Sequence, residues 1–224
     1  MKGDTPVPSV PIVLVERGRK VLRVNGFVQS VEVAARRRPD VWDALIPRDH
    51  QIGTALLLGV GGGTVATLLT QRFGGIPITG VDSEPAVVAM AKREFGLGQL
   101  ENVHIVIDDA FRFASQARDR YDLVCVDLYH GRRMPQRVVG QPFLRDVARM
   151  LAPGGIATFN FWRIFPVAAY LRRIRLILRV ARIVKTEGNA VVHCSARPRG
   201  ADRPRVTGQS PEAECVGRGR GNRP

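Results

Sequence analysis

The chain has 224 residues, with 34 Lys+Arg against 20 Asp+Glu and a formal net charge of +14. Its 45% hydrophobic and 24% charged content are ordinary for a globular protein, and the length suits one α/β domain with short additions. Three cysteines, Cys125, Cys194 and Cys215, are too far apart for a metal knuckle, and their odd number argues against a disulfide framework. The start, Met1 to Pro6, lacks the apolar core of a signal peptide, and no uncharged apolar stretch reaches the roughly 18 residues that span a bilayer. A reducing cytoplasm is the expected location. The positive field attracts nucleic acid, anionic membrane or acidic substrates without choosing among them.

In chain order, Ile12 to Val15 reads as a strand, Glu16-Arg17-Gly18-Arg19 as a turn and Lys20 to Val24 as a second strand. Asn25-Gly26 is a hairpin signal, and Phe27 to Val33 supplies a third strand. Residues 1–47 are thus expected to form a small antiparallel β-hairpin unit with a linker helix. Arg36-Arg37-Arg38 reads as a solvated stretch, and Trp42 to Ile46 as a helix closing at Pro47.

Residues 48–196 carry the main domain. Ala55-Leu56-Leu57-Leu58 is wholly apolar, as a buried parallel strand should be, and runs into Gly59-Val60-Gly61-Gly62-Gly63. A helix to about Phe73, a strand from Ile76 to Val81 and a helix from Pro85 to Phe95 follow. Val103 to Ile107 and Tyr121 to Val126 are the third and fourth strands. A helix from about Phe143 ends at Pro153-Gly154-Gly155, and Ile156 to Phe161 is the fifth strand. The pattern predicts an α/β fold with a doubly wound, Rossmann-like, mostly parallel sheet.

From Pro166 to Lys185 the spacing predicts one amphipathic helix. Arg172, Arg175, Arg179 and Arg182 fall on one side, and Leu171, Ile174, Leu178 and Ala181 on the other. Ala190 to Cys194 reads as a last strand. Residues 197–224 are rich in Arg, Pro, Gly and Ser, a composition that predicts a disordered tail able to hold RNA weakly.

Strand, glycine turn, helix, strand and an acid at Asp82, about 20 residues past the turn, is a nucleotide-binding arrangement. Glycines let the backbone approach a ligand, and Asp82 can accept both hydroxyl protons of a ribose. Asp108-Asp109 and Asp127 follow the third and fourth strands. In an open parallel sheet these acids gather over the carboxyl ends, in one crevice with the glycine turn.

Taken together, these residues resemble the spermidine synthase (polyamine aminopropyltransferase) family, a branch of the class I S-adenosylmethionine-dependent methyltransferase fold. The resemblance runs from about Ile12 to Phe161. It rests on Asn25-Gly26-Phe27-Val28-Gln29, Gly59-x-Gly61-x-Gly63, Asp82-Ser83-Glu84, Asp108-Asp109-Ala110, Tyr121 to Asp127 and Leu151-Ala152-Pro153-Gly154-Gly155. It implies that Gly59, Gly61, Gly63, Asp82, Asp108, Asp109 and Gln29 form the donor site, with Asp82 on the ribose and Asp109 on the adenine amino group. Asp127 would be the general base for an attacking amine. The implied donor is S-adenosylmethionine or its decarboxylated form, with no metal.

Three positions depart from the family. Gly62 stands where the family has an acid that holds the aminopropyl amine, and His130 where it has a second acid near the catalytic one. Its Tyr-His or Tyr-Gln pair is replaced near Val41-Trp42. His130 reads either as a second acid/base or as a loop histidine. Tyr129 either flanks a substrate or covers the site, and Arg132-Arg133 reads as solvated, with an acidic acceptor as the other reading. The expected partner is a small-molecule amine or other nucleophile, and homodimerisation is a further expectation. A methyltransferase acting on a small molecule and a non-catalytic nucleic-acid-binding module are the alternatives.

Overall fold

A computed structural model describes residues 11–16, 18–24, 26–32, 40–131 and 133–197. Asn25, Arg36 to Arg38, Arg132 and the tail beyond residue 197 lie outside the described residues. Strands β1 (Pro11–Glu16), β2 (Arg19–Val24) and β3 (Phe27–Val31) form the expected antiparallel unit in the order β1-β2-β3. Its inner face supplies Leu22 and Val24, which bury against Val87 of the main domain, while Lys20 pairs with Glu94 at 3.2 Å.

Helix α1 (Val41–Ala44) is short and held by a reciprocal cap. Asp40 accepts from Trp42 N at 2.9 Å, and Asp43 accepts from Asp40 N at 3.0 Å. There follow β4 (Ala55–Leu58), α2 (Thr64–Phe73), β5 (Ile78–Asp82), α3 (Pro85–Glu94) and β6 (Val103–Ile107). The chain continues through α4 (Ala110–Gln116), β7 (Tyr121–Val126), α5 (Gln141–Met150), β8 (Leu151–Trp162), α6 (Val167–Ile174), β9 (Leu178–Lys185) and β10 (Asn189–Ala196). The seven strands of the main sheet lie in the order β6-β5-β4-β7-β8-β10-β9. From β6 to β8 all pairings are parallel; β8–β10 and β10–β9 are antiparallel.

Alternate residues of the central strands serve two cores, because successive side chains leave opposite faces of a strand. Leu56, Leu58, Val124 and Val126 pack with α4, α5 and α6; Ala55, Leu57, Leu123 and Cys125 pack with α2 and the segment after α1. Strand order reverses between β4 and β7, so the loops that leave these two strands diverge and open a crevice between them.

One element differs from its sequence reading. The helix predicted over 166–185 ends at Ile174, and the chain turns into strand β9 from Leu178. Arginines spaced by three and four fit both a helix face and, in part, an alternating strand. In the strand, Leu178, Val180 and Val184 are wholly or partly covered, while Arg179, Ala181, Ile183 and Lys185 are exposed. Val180, Ile183 and Val184 are β-branched, and pairing with β10 runs along the whole segment on one side. Tertiary pairing therefore overrides the local period. Helix α4 has no counterpart in the sequence reading, and α5 ends at Met150, three residues before Pro153.

Candidate functional site

The crevice is built first by its backbone. Gly59 N donates to Val81 O at 2.9 Å, and Asp127 N donates to Leu58 O at 2.9 Å. Gly59 has φ +93°, and a Cβ there would stand 2.2 Å from Asp127 O. Only glycine permits both that backbone conformation and that approach. The glycine loop and the chain at Asp127 are thus in direct contact.

Asp82, at the end of β5, ties the loop down. Its Oδ2 accepts from Val60 N and Gly61 N at 3.0 Å each, and its Oδ1 accepts from Glu84 N at 3.0 Å. Its Oδ1, with one bond made, keeps a lone pair for a further donor such as a ribose hydroxyl. Over this floor lies a cleft of about 360 Å³. Seven sequence-predicted site residues line it: Gln29, Gly59, Gly61, Asp82, Asp109, Asp127 and His130.

Gly63 and Asp108 do not line the cleft. Gly63 starts α2, facing Leu97, and Asp108 is engaged by Arg112, whose Nε donates to its Oδ1 at 2.6 Å. Asp109 also has structural work. Its Oδ1 caps α4 by accepting from Phe111 N and Arg112 N at 2.9 Å, and its Oδ2 meets Arg137 at 3.3 Å. Position 62 is closed from another side, since a Cβ on Gly62 would stand 2.3 Å from Ser30 Cβ. The acid of the family's glycine loop has no room here unless the hairpin unit moves.

Asp127 leaves β7 at the floor of the cleft and caps no helix. Asn160 Nδ2 donates to its Oδ1 at 2.8 Å, and Asn189 Nδ2 in turn donates to Asn160 Oδ1 at 2.8 Å. Among the described residues its Oδ2 has no hydrogen-bond partner. Burial pushes the Asp127 carboxyl from 3.8 up to about 6, against the Asn160 hydrogen bond, which favours the ionised form. Tyr129 donates to Asn160 O at 3.0 Å and accepts from Trp162 N at 3.0 Å. Burial, with the charge of Asp127 second, raises its phenol well above the usual range. Tyr129 stacks on Trp162, ring centres 5.2 Å apart, and Phe27 approaches the same indole at 6.1 Å. These rings make a wall suited to a cationic centre.

His130 is exposed at the rim, held by backbone bonds between His130 and Arg133. Sequence reasoning missed Asn160, Trp162 and Asn189. Asn160 had a visible signal: it is a polar residue in the run Ile156-Ala157-Thr158-Phe159-Asn160-Phe161, which otherwise reads as buried strand. Asn189 had none, because its place beside Asn160 depends on the antiparallel pairing of β10 with β8.

Sheet order, glycine loop and strand-end acids define a domain of the class I methyltransferase fold, and residues 55–155 match the family model described as "Methyltransferase domain". Within that fold the chain resembles the polyamine aminopropyltransferases, as its sequence motifs imply. The polyamine aminopropyltransferase of Neisseria meningitidis is 30% identical over 106 residues, covering 47% of this chain and 40% of that protein. The chain therefore spans well under two thirds of that relative. The crystal structure of a probable spermidine synthase from Corynebacterium glutamicum has a TM-score of 0.70 at 20% identity, covering 87% of this chain and 78% of the other. Human methyltransferase-like protein 13, solved in complex with SAH, has a TM-score of 0.57 at 23% identity, covering 66% and 73%.

Among the described residues, no group of three or more His, Cys, Asp or Glu side chains is arranged to hold a metal ion. No described helix is long and apolar enough to cross a membrane.

Proposed function

We propose that the protein is a transferase that moves an alkyl group from an adenosyl sulfonium to an amine, in the manner of the aminopropyltransferases it resembles. The observation that carries this reading is Asp127, a carboxylate with one free oxygen on the floor of the cleft that the glycine loop and Asp82 line. The amine lone pair attacks the carbon beside sulfur. A C–N bond forms, the C–S bond breaks with its electron pair left on sulfur, and the nitrogen proton passes to Asp127. With its carboxyl pushed up to about 6, Asp127 is ionised at neutral pH yet more basic than an ordinary aspartate. The sulfonium is already a good leaving group, so positioning supplies most of the remaining acceleration.

In this reading Asp82 holds the ribose, Gln29 reaches the donor from the hairpin unit, and Asp109 adds the adenine contact beside its capping bonds. His130, at the rim, passes the proton on to water. Residues 48–196 form the catalytic domain, and strands β1 to β3 are its cover. The buried free thiols of Cys125 and Cys194 suit a reducing cytoplasm.

A second reading, methyl transfer from S-adenosylmethionine itself, is favoured by Gly62. No loop carboxylate stands there to hold an aminopropyl ammonium or to repel the carboxylate of the undecarboxylated donor. Calorimetric titration with the two donors side by side tests both. The first reading expects tighter binding of the decarboxylated donor and the second the reverse. Binding of neither overturns the donor site.

A further inference from the structure

A second cavity, of about 870 Å³, lies between α1 and the turn joining β9 to β10. Val41 and Asn189 line both this cavity and the donor cleft, so the two spaces meet at those residues. Asn189 is also the outer end of the amide pair that reaches Asp127 through Asn160. The donor cleft, about 360 Å³, is at the low end of the roughly 300–1,000 Å³ that holds one small ligand. A cleft of that size has room for one adenosyl donor and little besides. An acceptor whose nitrogen sits at Asp127 must carry the rest of its body elsewhere, and the adjoining space is the cavity that shares Val41 and Asn189 with the cleft.

The charges around the second cavity indicate what that body carries. Asp40 is engaged by its helix cap, and Asp43 by the same cap together with Arg72 at 3.8 Å. Burial lowers the pKa of His193, whose Nε2 lies 2.7 Å from Ala44 O, so the ring adds no charge. Arg48 and Lys185 have no side-chain partner among the described residues. Arg182 has only Asp49 at 3.8 Å, a largely solvent-exposed pair. Against these three cations stands one unengaged carboxylate lining the cavity, that of Glu187.

We infer that the second cavity is the acceptor subsite and that it takes an amine bearing a carboxylate or phosphate at its far end. The inference rests on the transferase reading proposed above. Arg48 and Lys185 hold the anionic end, and Asn189 marks the passage to Asp127. A diamine, with a second ammonium in place of the anion, would meet like charges in this cavity. The reaction is unchanged: nitrogen gains the alkyl carbon, sulfur keeps the electron pair of the broken bond and Asp127 receives the proton.

The test is calorimetry on the full chain. Binding of methylthioadenosine and S-adenosylhomocysteine is measured first. An ω-amino acid, an ω-aminoalkyl phosphate and an α,ω-diamine of matched length are then titrated into the thioether-loaded protein. The expected result is at least about tenfold tighter binding of one of the anionic amines than of the diamine, falling to parity when Arg48→Ala and Lys185→Ala are combined. Whichever anionic amine binds better identifies the end group. Equal or tighter binding of the diamine overturns the subsite while leaving the donor reading intact, as does a preference that survives the double substitution. Failure of both thioethers to bind overturns the transferase reading, and the subsite with it.

Discussion

The two halves of the cleft are built by different rules. On the donor side, β4, the glycine loop and β5 are contiguous in sequence, and Asp82 reaches back only to the amides of Val60 and Gly61. On the acceptor side, Asp127 depends on Asn160 from β8, and Asn160 on Asn189 from β10. The first half is local and keeps the motif of its relatives. The second is assembled by strand pairing, and His130 departs from the family pattern there, whereas Gly62 departs within the glycine loop itself. In the proposed reading the donor and the acceptor are carried by different parts of the sheet, so one can vary while the other is kept.

The contrast breaks most sharply at Asp127. In Asp127→Asn the shape and one acceptor oxygen remain, so donor binding should persist while turnover falls by about 10²–10⁴-fold. The same variant should melt no lower than wild type at neutral pH. A carboxyl raised from 3.8 to about 6 contributes stability only below its unfolded value and loses it as pH rises through about 6. A variant that cannot ionise avoids that loss, and the difference in melting temperature should close below pH 4. Full activity in Asp127→Asn would show that the acceptor half lacks this base.

On the donor side, Asp82→Ala should weaken methylthioadenosine binding by roughly 1.5–3 kcal/mol, from the loss of its ribose contacts. Release of the glycine-loop amides adds to that figure. Because the residues that hold Asp127 are elsewhere, the acid limb of the rate profile should stay where it was. If binding is unchanged, the nucleoside site is not at Asp82.

The smallest effect sharpens the comparison further. Asn160→Leu removes a donor that favours the ionised carboxylate, so the pKa of Asp127 rises above about 6. The acid limb of kcat/KM should move up by about one pH unit, near the lower end of what one charged hydrogen bond contributes. Donor affinity should not move. An unshifted limb would mean that Asn160 does not tune the base.

The sequence was legible wherever a motif and its contacts are neighbours in the chain. Every strand from β4 to β8 can be read from apolar runs bounded by Gly, Asp or Pro, and Asp82 and Asp127 follow as strand-end acids. Legibility failed where partners are distant. The run through Leu178 and Lys185 has a helical period, and only β10 makes it a strand. Asp109 reads as a ligand acid, yet its carboxylate already caps α4 and meets Arg137. Gly62 reads as a lost acid, whereas contact with Ser30, 32 positions earlier, leaves no space for one.

Among the described residues, strand β9 also ends the sheet on that side, with one row of its backbone groups unpaired. Such a row is a template for a foreign strand. Here the exposed side chains along it include Arg179, Arg182 and Lys185. Two molecules meeting edge to edge would bring six positive groups together, so open-ended stacking of sheets is opposed by repulsion that weakens as the Debye length shortens, from roughly 10 Å at 0.1 M salt to 3 Å at 1 M. Two of the three cations at the second cavity, Arg182 and Lys185, thus belong to a strand whose charge also keeps the molecules apart, and neutralising them for one purpose alters the other.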